Sequence, residues 1–101
     1  MNYTVRYHPD VYDDLKAMDK SVRKKVVKKI DQLAQKPEMG QLLGNKAGIK
    51  LSGYRKLYVD KKRIRIIYCV ENEEFYVMVI AVGKRENLEI YQIARRRLSE
   101  S

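Results

Sequence analysis

The chain is poor in the groups that many catalysts and metal proteins lean on. Among its 101 residues there is one cysteine, Cys69, and one histidine, His8. A single cysteine allows no internal disulfide, which suits a reducing, cytoplasmic compartment. One cysteine with one histidine builds no Cys/His metal cage within a chain. A lone histidine also excludes a paired-histidine mechanism, and His8 reads as a helix-start residue. No apolar run reaches membrane-spanning length, and no lipidation signal is present. The opening MNYTVRYHPD lacks an apolar signal region, so secretion is not expected. Acidic residues are scarce too: 13 Asp and Glu stand against 22 Lys and Arg, a formal net charge of +9. That excess favours an anionic partner, either nucleic acid or an acidic protein.

What is present suffices for a packed domain. Apolar residues make up 45% of the chain, enough for a globular core rather than disorder. No repeat, linker or second domain is visible, so residues 1–101 read as one small domain. Met1 to Tyr7 alternates as a first strand, and His8-Pro9-Asp10 stops it. Val11, Leu15 and Met18 have helical spacing, giving a short helix that Pro9 and Asp10 open. Val22, Val26, Val27, Ile30, Leu33 and Ala34 form the stripe of a second helix, capped by Asp19 or Ser21 and ending near Gln35 before Pro37. The short link between the two implies a helical hairpin. Lys24, Lys25, Lys28 and Lys29 fall off the stripe and read as a solvated face.

Pro37 to Gly53 carries four glycines and reads as a long loop, with a turn of structure near Gln41 to Leu43. Tyr54–Val59 and Arg63–Val70 then alternate as strands, joined by the polar turn Asp60-Lys61-Lys62. A third strand, Phe75 to Val82, is apolar on both parities, as a central strand covered twice would be. Gly83 is expected to break it, placing Lys84 and Arg85 at its exit, either on a rigid support that suits an anion or as plain solvated turn residues. A last helix is expected from about Asn87 to Leu98, with Ile90, Ile93 and Ala94 inward. The fold class is therefore α+β, in the order β-α-α-β-β-β-α. The helical hairpin covers one face of a mostly antiparallel sheet. Parity puts Leu57, Val59, Ile64 and Ile66 on that face and Lys56, Tyr58 and Arg65 on the opposite, more open one.

Three polar residues from adjacent strands can serve metal-free RNA cleavage. Arginines can clamp a phosphate with forked hydrogen bonds and stabilise charge on phosphorane oxygens. A lysine crowded by like charges can accept or relay a proton. Tyrosines can stack on bases or donate a phenolic proton. The blander alternative is that these side chains merely cover a sheet face. No metal or cofactor is expected: Asp13 and Asp14 are adjacent and point apart on a helix, so with Asp19 they form no credible metal site.

Gly53 to Tyr68, GYRKLYVDKKRIRIIY, followed by Val79 to Leu98, VIAVGKRENLEIYQIARRRL, resembles the RelE family of toxin–antitoxin systems. The hairpin segment VRKKVVKKIDQLAQKP fits the same family. The resemblance implies an endoribonuclease that cuts mRNA in the ribosomal A site by 2′-hydroxyl attack without a metal, held inactive by a cognate antitoxin. It places the catalytic set at Lys56, Arg65, Arg85 and Tyr91, the last stacking on or orienting a base. The family's second strand lysine, the proton acceptor, falls on Tyr58, which can act only if surrounding cations depress its pKa. Lys61, Lys62 and Lys84 are substitutes for that role and, with Arg63, candidate substrate contacts. The alternatives are a ParE-like gyrase inhibitor and a non-catalytic basic binding module.

Overall fold

The computed structural model describes residues 2–46, 48–84 and 89–99. Its elements are β1 (Thr4–Tyr7), α1 (Val11–Lys16), α2 (Lys20–Gln32), β2 (Gln41–Leu42), β3 (Asn45–Lys46), β4 (Ile49–Lys50), β5 (Tyr54–Val59), β6 (Ile64–Glu71), β7 (Tyr76–Lys84) and α3 (Glu89–Ser99). Five strands form one sheet in the order β1-β7-β6-β5-β2, and β3 and β4 pair as a separate small hairpin. The β5–β6 and β6–β7 links are antiparallel, as short connections require. β1 lies parallel to β7 at one edge, and the helical hairpin carries the chain from it to β2 at the other.

The sheet is covered on both faces, and strand parity decides which residue meets which cover. Val11 of α1 and Val26, Ile30 and Leu33 around α2 pack on Leu57, Val59, Ile64, Ile66, Val77 and Val79. Ile90, Tyr91 and Ala94 of α3 pack on Ile67, Ile80 and Ala81 from the other side. β7 is thus buried on both faces, which explains its unbroken apolar run. α1 is only six residues long, and Arg23 of α2 steadies its end. Its Nε donates to the Leu15 carbonyl at 3.0 Å and its Nη2 to the Met18 carbonyl at 3.0 Å. Those are carbonyls a helix end leaves without partners.

Several boundaries depart from the sequence expectation. β7 does not stop at Gly83 but runs on to Lys84, with Gly83 opposite Arg65 and Lys84 opposite Ile64. Phe75 is not in the strand; it sits in the preceding turn with φ at +57°. Within the expected loop, β2 adds to the edge of β5, and β3–β4 folds toward α3. α1 starts at Val11 rather than Pro9, and α2 ends at Gln32 because i to i+3 bonds at Leu33 and Ala34 tighten the chain. Met1, Arg85 and the expected helix start at Asn87 lie outside the described residues.

Two polar devices hold the sheet edges. β1 ends at Tyr7, so the amide of Val82 lies past its ladder, and Asp14 Oδ2 accepts from it at 3.0 Å. Arg97 grips the same carboxylate, Nη1 to Oδ2 at 2.6 Å and Nη2 to Oδ1 at 2.8 Å, and Nη1 also donates to the Ile80 carbonyl at 3.0 Å. At the other edge, the Tyr68 hydroxyl donates to the Pro37 carbonyl and accepts from the Gly40 amide, both at 2.8 Å. A Cβ on residue 40 would lie 2.5 Å from the Lys56 carbonyl, so only glycine fits there. This pins the β2 segment beside Lys56.

Candidate active site

Tyr58 is the hub of a polar cluster on the sheet face opposite the helical hairpin. It projects from β5 directly opposite Arg65 on β6, and Lys56 lies two residues back on the same side of the strand. The Tyr58 hydroxyl accepts from Lys56 Nζ at 3.2 Å and from Arg65 Nη2 at 3.4 Å. Three cationic groups surround its ring: Lys56 Nζ at 5.1 Å, Arg65 Cζ at 5.3 Å and Lys62 Nζ at 5.8 Å from the centroid. The hydrogen bond from Lys56 is the main cause that holds the phenol pKa below its ordinary value, and the positive charges of Arg65 and Lys56 add to it against the effect of burial.

Arg65 is the only buried charged side chain among the described residues, 8% exposed. Its guanidinium lies between two aromatic rings, that of Tyr58 and that of Tyr91, the latter with its centroid 5.0 Å away. Stacking of this kind offsets part of the cost of removing a guanidinium from water. Arg65 Nε is buried and has no hydrogen-bond partner among the described residues. An unanswered donor of that kind is costly in a site that stays closed, and useful in one that receives an anion.

Tyr91 arrives on α3, and Gly83 is what lets α3 come close. A Cβ on Gly83 would sit 2.8 Å from Ile90 Cδ1. The glycine is therefore needed for space, and it stands in the same row across the sheet as Tyr58 and Arg65. Tyr91 is only 1% exposed. Its ring covers Arg65 and is not presented to solvent, so the stacking role implied by resemblance has no open ring face here.

The other sequence candidates divide. Lys62 belongs to the Tyr58 cluster. Lys61 sits at the exposed β5–β6 turn, where Asp60, Lys61 and Lys62 all have positive φ. Arg63 and Lys84 instead line an open cleft of about 640 Å³ between the helical hairpin and the ends of β6 and β7, together with Asp14, Asp19 and Asp60. Continuation of β7 through Gly83 explains this: Lys84 pairs with Ile64 and takes the hairpin side. Arg85 lies outside the described residues. Sequence reasoning missed the spacing role of Gly83, because a glycine before two cations looks like a strand breaker.

Residues 5–89 match the family described as ParE toxin of type II toxin–antitoxin system, parDE. The chain belongs to the RelE/ParE family of toxins. An mRNA interferase toxin RelE from Escherichia coli is 29% identical over 101 residues, covering 97% of this chain and 99% of the relative. A mutant of the E. coli toxin RelE in the free state superimposes with a TM-score of 0.76 at 26% identity, over 97% of this chain and 99% of that one. The same toxin in complex with an antitoxin RelB peptide gives 0.69 at 26% identity, over 93% and 95%. These matches support a RelE-like toxin of a toxin–antitoxin system with the expected α+β fold. In this RelE-type toxin a phenol stands where the resemblance puts a lysine, and the phenol is the group whose pKa its neighbours lower. No described helix is long and apolar enough to cross a membrane.

Proposed function

We propose that this chain is the toxin of a toxin–antitoxin pair and an endoribonuclease that cuts mRNA on the ribosome, acting in the cytoplasm and restrained by a cognate antitoxin. The observation that carries the reading is the Tyr58 hydroxyl held at once by Lys56 and Arg65. Activity and partner follow the relatives: one of near-full coverage is named an mRNA interferase, and a structural neighbour is bound to an antitoxin peptide. A gyrase-poisoning role draws only on the family description, and nothing in the Tyr58 cluster calls for it.

The chemistry follows from the cluster. The ionised fraction of Tyr58 takes the proton from the 2′-hydroxyl, and O2′ attacks the adjacent phosphorus. Arg65, with Arg85 as the second guanidinium of the set, stabilises the charge growing on the phosphorane oxygens. The bond from phosphorus to O5′ breaks, and Lys56 gives that oxygen its proton. Tyr58 then returns a proton to Lys56 across the 3.2 Å bond between them. The products are a 2′,3′-cyclic phosphate and a 5′-hydroxyl, with no net proton consumed. Tyr91 positions Arg65 instead of touching the base, and Lys62 adds positive charge beside the phenol. Lys61 faces the RNA from the turn, while Arg63 and Lys84 make their contacts from the hairpin-side cleft.

The deciding experiment is primer extension on ribosomes programmed with a defined mRNA. Cuts within the A-site codon that vanish in Arg65→Ala and Arg85→Ala support the reading. Uncut message, with gyrase trapped on DNA instead, would sink it.

A further inference from the structure

A second basic cleft lies between the β3–β4 hairpin and the exposed side of α3. It is lined by Gly48, Ile49, Lys50, Gln92, Arg95 and Arg96. Among the described residues no carboxylate lines it. This separates it from the lysine face of α2, where Asp31 lies among the cations and Lys25 pairs with Asp60 at 3.1 Å. Lys50, Arg95 and Arg96 are all exposed. The described hydrogen bond from the Arg95 guanidinium goes to the neutral hydroxyl of Ser99 at 3.3 Å.

The cleft is joined to the Tyr58 cluster by one strand. Tyr54, Lys56 and Tyr58 share a face of β5, and Tyr54 packs in the core beneath α3. The charge of Arg95 reaches the Tyr54 phenol, lowering a pKa that burial raises more strongly. Along α3, Arg95 stands one turn beyond Tyr91, and Tyr91 covers Arg65. From Tyr58 to Tyr54 is roughly 13 Å at the usual strand rise, a span of a few nucleotides. Arg95 therefore stands near the far end of the β5 row that begins at Tyr58, and Lys50 and Arg96 line the cleft with it.

We propose that Lys50, Arg95 and Arg96 form a backbone subsite for single-stranded RNA that holds phosphates flanking the one being cut. The inference rests on the nuclease reading for its ligand, but it concerns binding and is tested by binding. Exposed side chains on a helix and a hairpin make contacts of the phosphate-positioning kind, without base recognition.

The test uses the full chain and two oligoribonucleotides, of three and nine nucleotides, each 2′-O-methylated at every position to block cleavage. Affinity is measured by fluorescence anisotropy across a salt series for the wild type, for Lys50→Gln/Arg95→Gln/Arg96→Gln, and for Arg95→Lys/Arg96→Lys. The triple variant should bind the nonamer about tenfold more weakly. Its log–log salt slope should fall by about two, since each lost phosphate contact on a single strand is worth roughly 0.7. Trimer affinity should stay at the wild-type level, and the charge-conserving variant should keep most of the nonamer affinity. Equal losses on both lengths would mark a diffuse charge field and overturn the proposal. So would an unchanged nonamer, wild-type protein that binds neither length, or a triple variant that loses only its grip on an acidic antitoxin peptide. If nonamer binding behaves as expected while programmed ribosomes go uncut, the nuclease reading fails and the subsite stands. If ribosomes are cut and the nonamer is unaffected, the reverse holds.

Discussion

Gly83 and Ile90 approach so closely that a single added carbon would lie 2.8 Å from Ile90 Cδ1. The approach lets α3 set Tyr91 on Arg65. Gly83→Ala should therefore push α3 outward, cost about 1–3 kcal/mol as overpacking does, and reduce cleavage. Ile90→Val removes the Cδ1 atom alone. The double variant should recover part of both losses in urea unfolding and ribosome cleavage. A Gly83→Ala protein as stable and active as the wild type would show that the contact is slack.

The Tyr58 phenol has a lowered pKa in the folded protein because Lys56 donates to it and Arg65 stands beside it. The proposed mechanism makes it the base, and a base works only once deprotonated. The cleavage rate should rise with pH and level off below the ordinary phenol value of about 10. Tyr58→Phe should abolish that rise and lower the rate about 100-fold or more, in keeping with loss of a positioned base. An unchanged pH–rate profile in the phenylalanine variant would move the base elsewhere.

Tyr91 is buried against Arg65, and in the proposed mechanism it acts through that guanidinium. Tyr91→Phe keeps the ring and should stay within about twofold of wild type. Tyr91→Leu should lower kcat about tenfold, roughly the 1.4 kcal/mol of one weakened cationic contact, with little change in KM for programmed ribosomes. A loss confined to KM would restore a direct stacking role.

Asp14 answers Arg97 and the Val82 amide together. Asp14→Ala leaves a mostly buried guanidinium and a strand amide without their acceptor. Breaking a buried pair costs about 3–5 kcal/mol, and the residual exposure of both side chains, 15% and 11%, puts the expectation at the lower end. Urea titration of purified protein measures it. The double variant Asp14→Ala/Arg97→Met should be more stable than the single one.

Burial raises the pKa of Tyr68 in the folded chain above the ordinary 10.0. The unfolded phenol therefore ionises first, and stability is complete below pH 10 and falls as pH rises past it. Tyr68→Phe should lose about 1–3 kcal/mol at pH 7, because the buried Gly40 amide and Pro37 carbonyl lose their partner. It should also show a shallower alkaline decline in thermal melts run between pH 8 and 11. A decline of undiminished slope would assign the alkaline loss to other buried groups.

The three main strands and the hairpin-covered face were legible because side-chain alternation has a period of two. Parity alone put Leu57, Val59, Ile64 and Ile66 under the hairpin and Lys56, Tyr58 and Arg65 opposite. Apolar spacing in α2 likewise foretold Val26 and Ile30 as its buried residues. The failures have a common origin in contacts distant along the chain. Nothing local to Gly83 says that Ile90 will press on it, and nothing near Asp14 announces Arg97, 83 residues on. The strands β2, β3 and β4 are two residues each, too short for any periodicity to register. The burial of Arg65 and Tyr91 depended on how far α3 descends onto the sheet, which the strand pattern does not encode.

The carboxylate of Asp14 also has a protective side. β1 is a four-residue edge strand, and past its end an unanswered amide on β7 would invite a strand from another molecule to dock. With Val82 already engaged, that stretch of the rim presents a charged plug instead of a template. A small basic protein that must stay dispersed gains from a rim sealed from within its own chain.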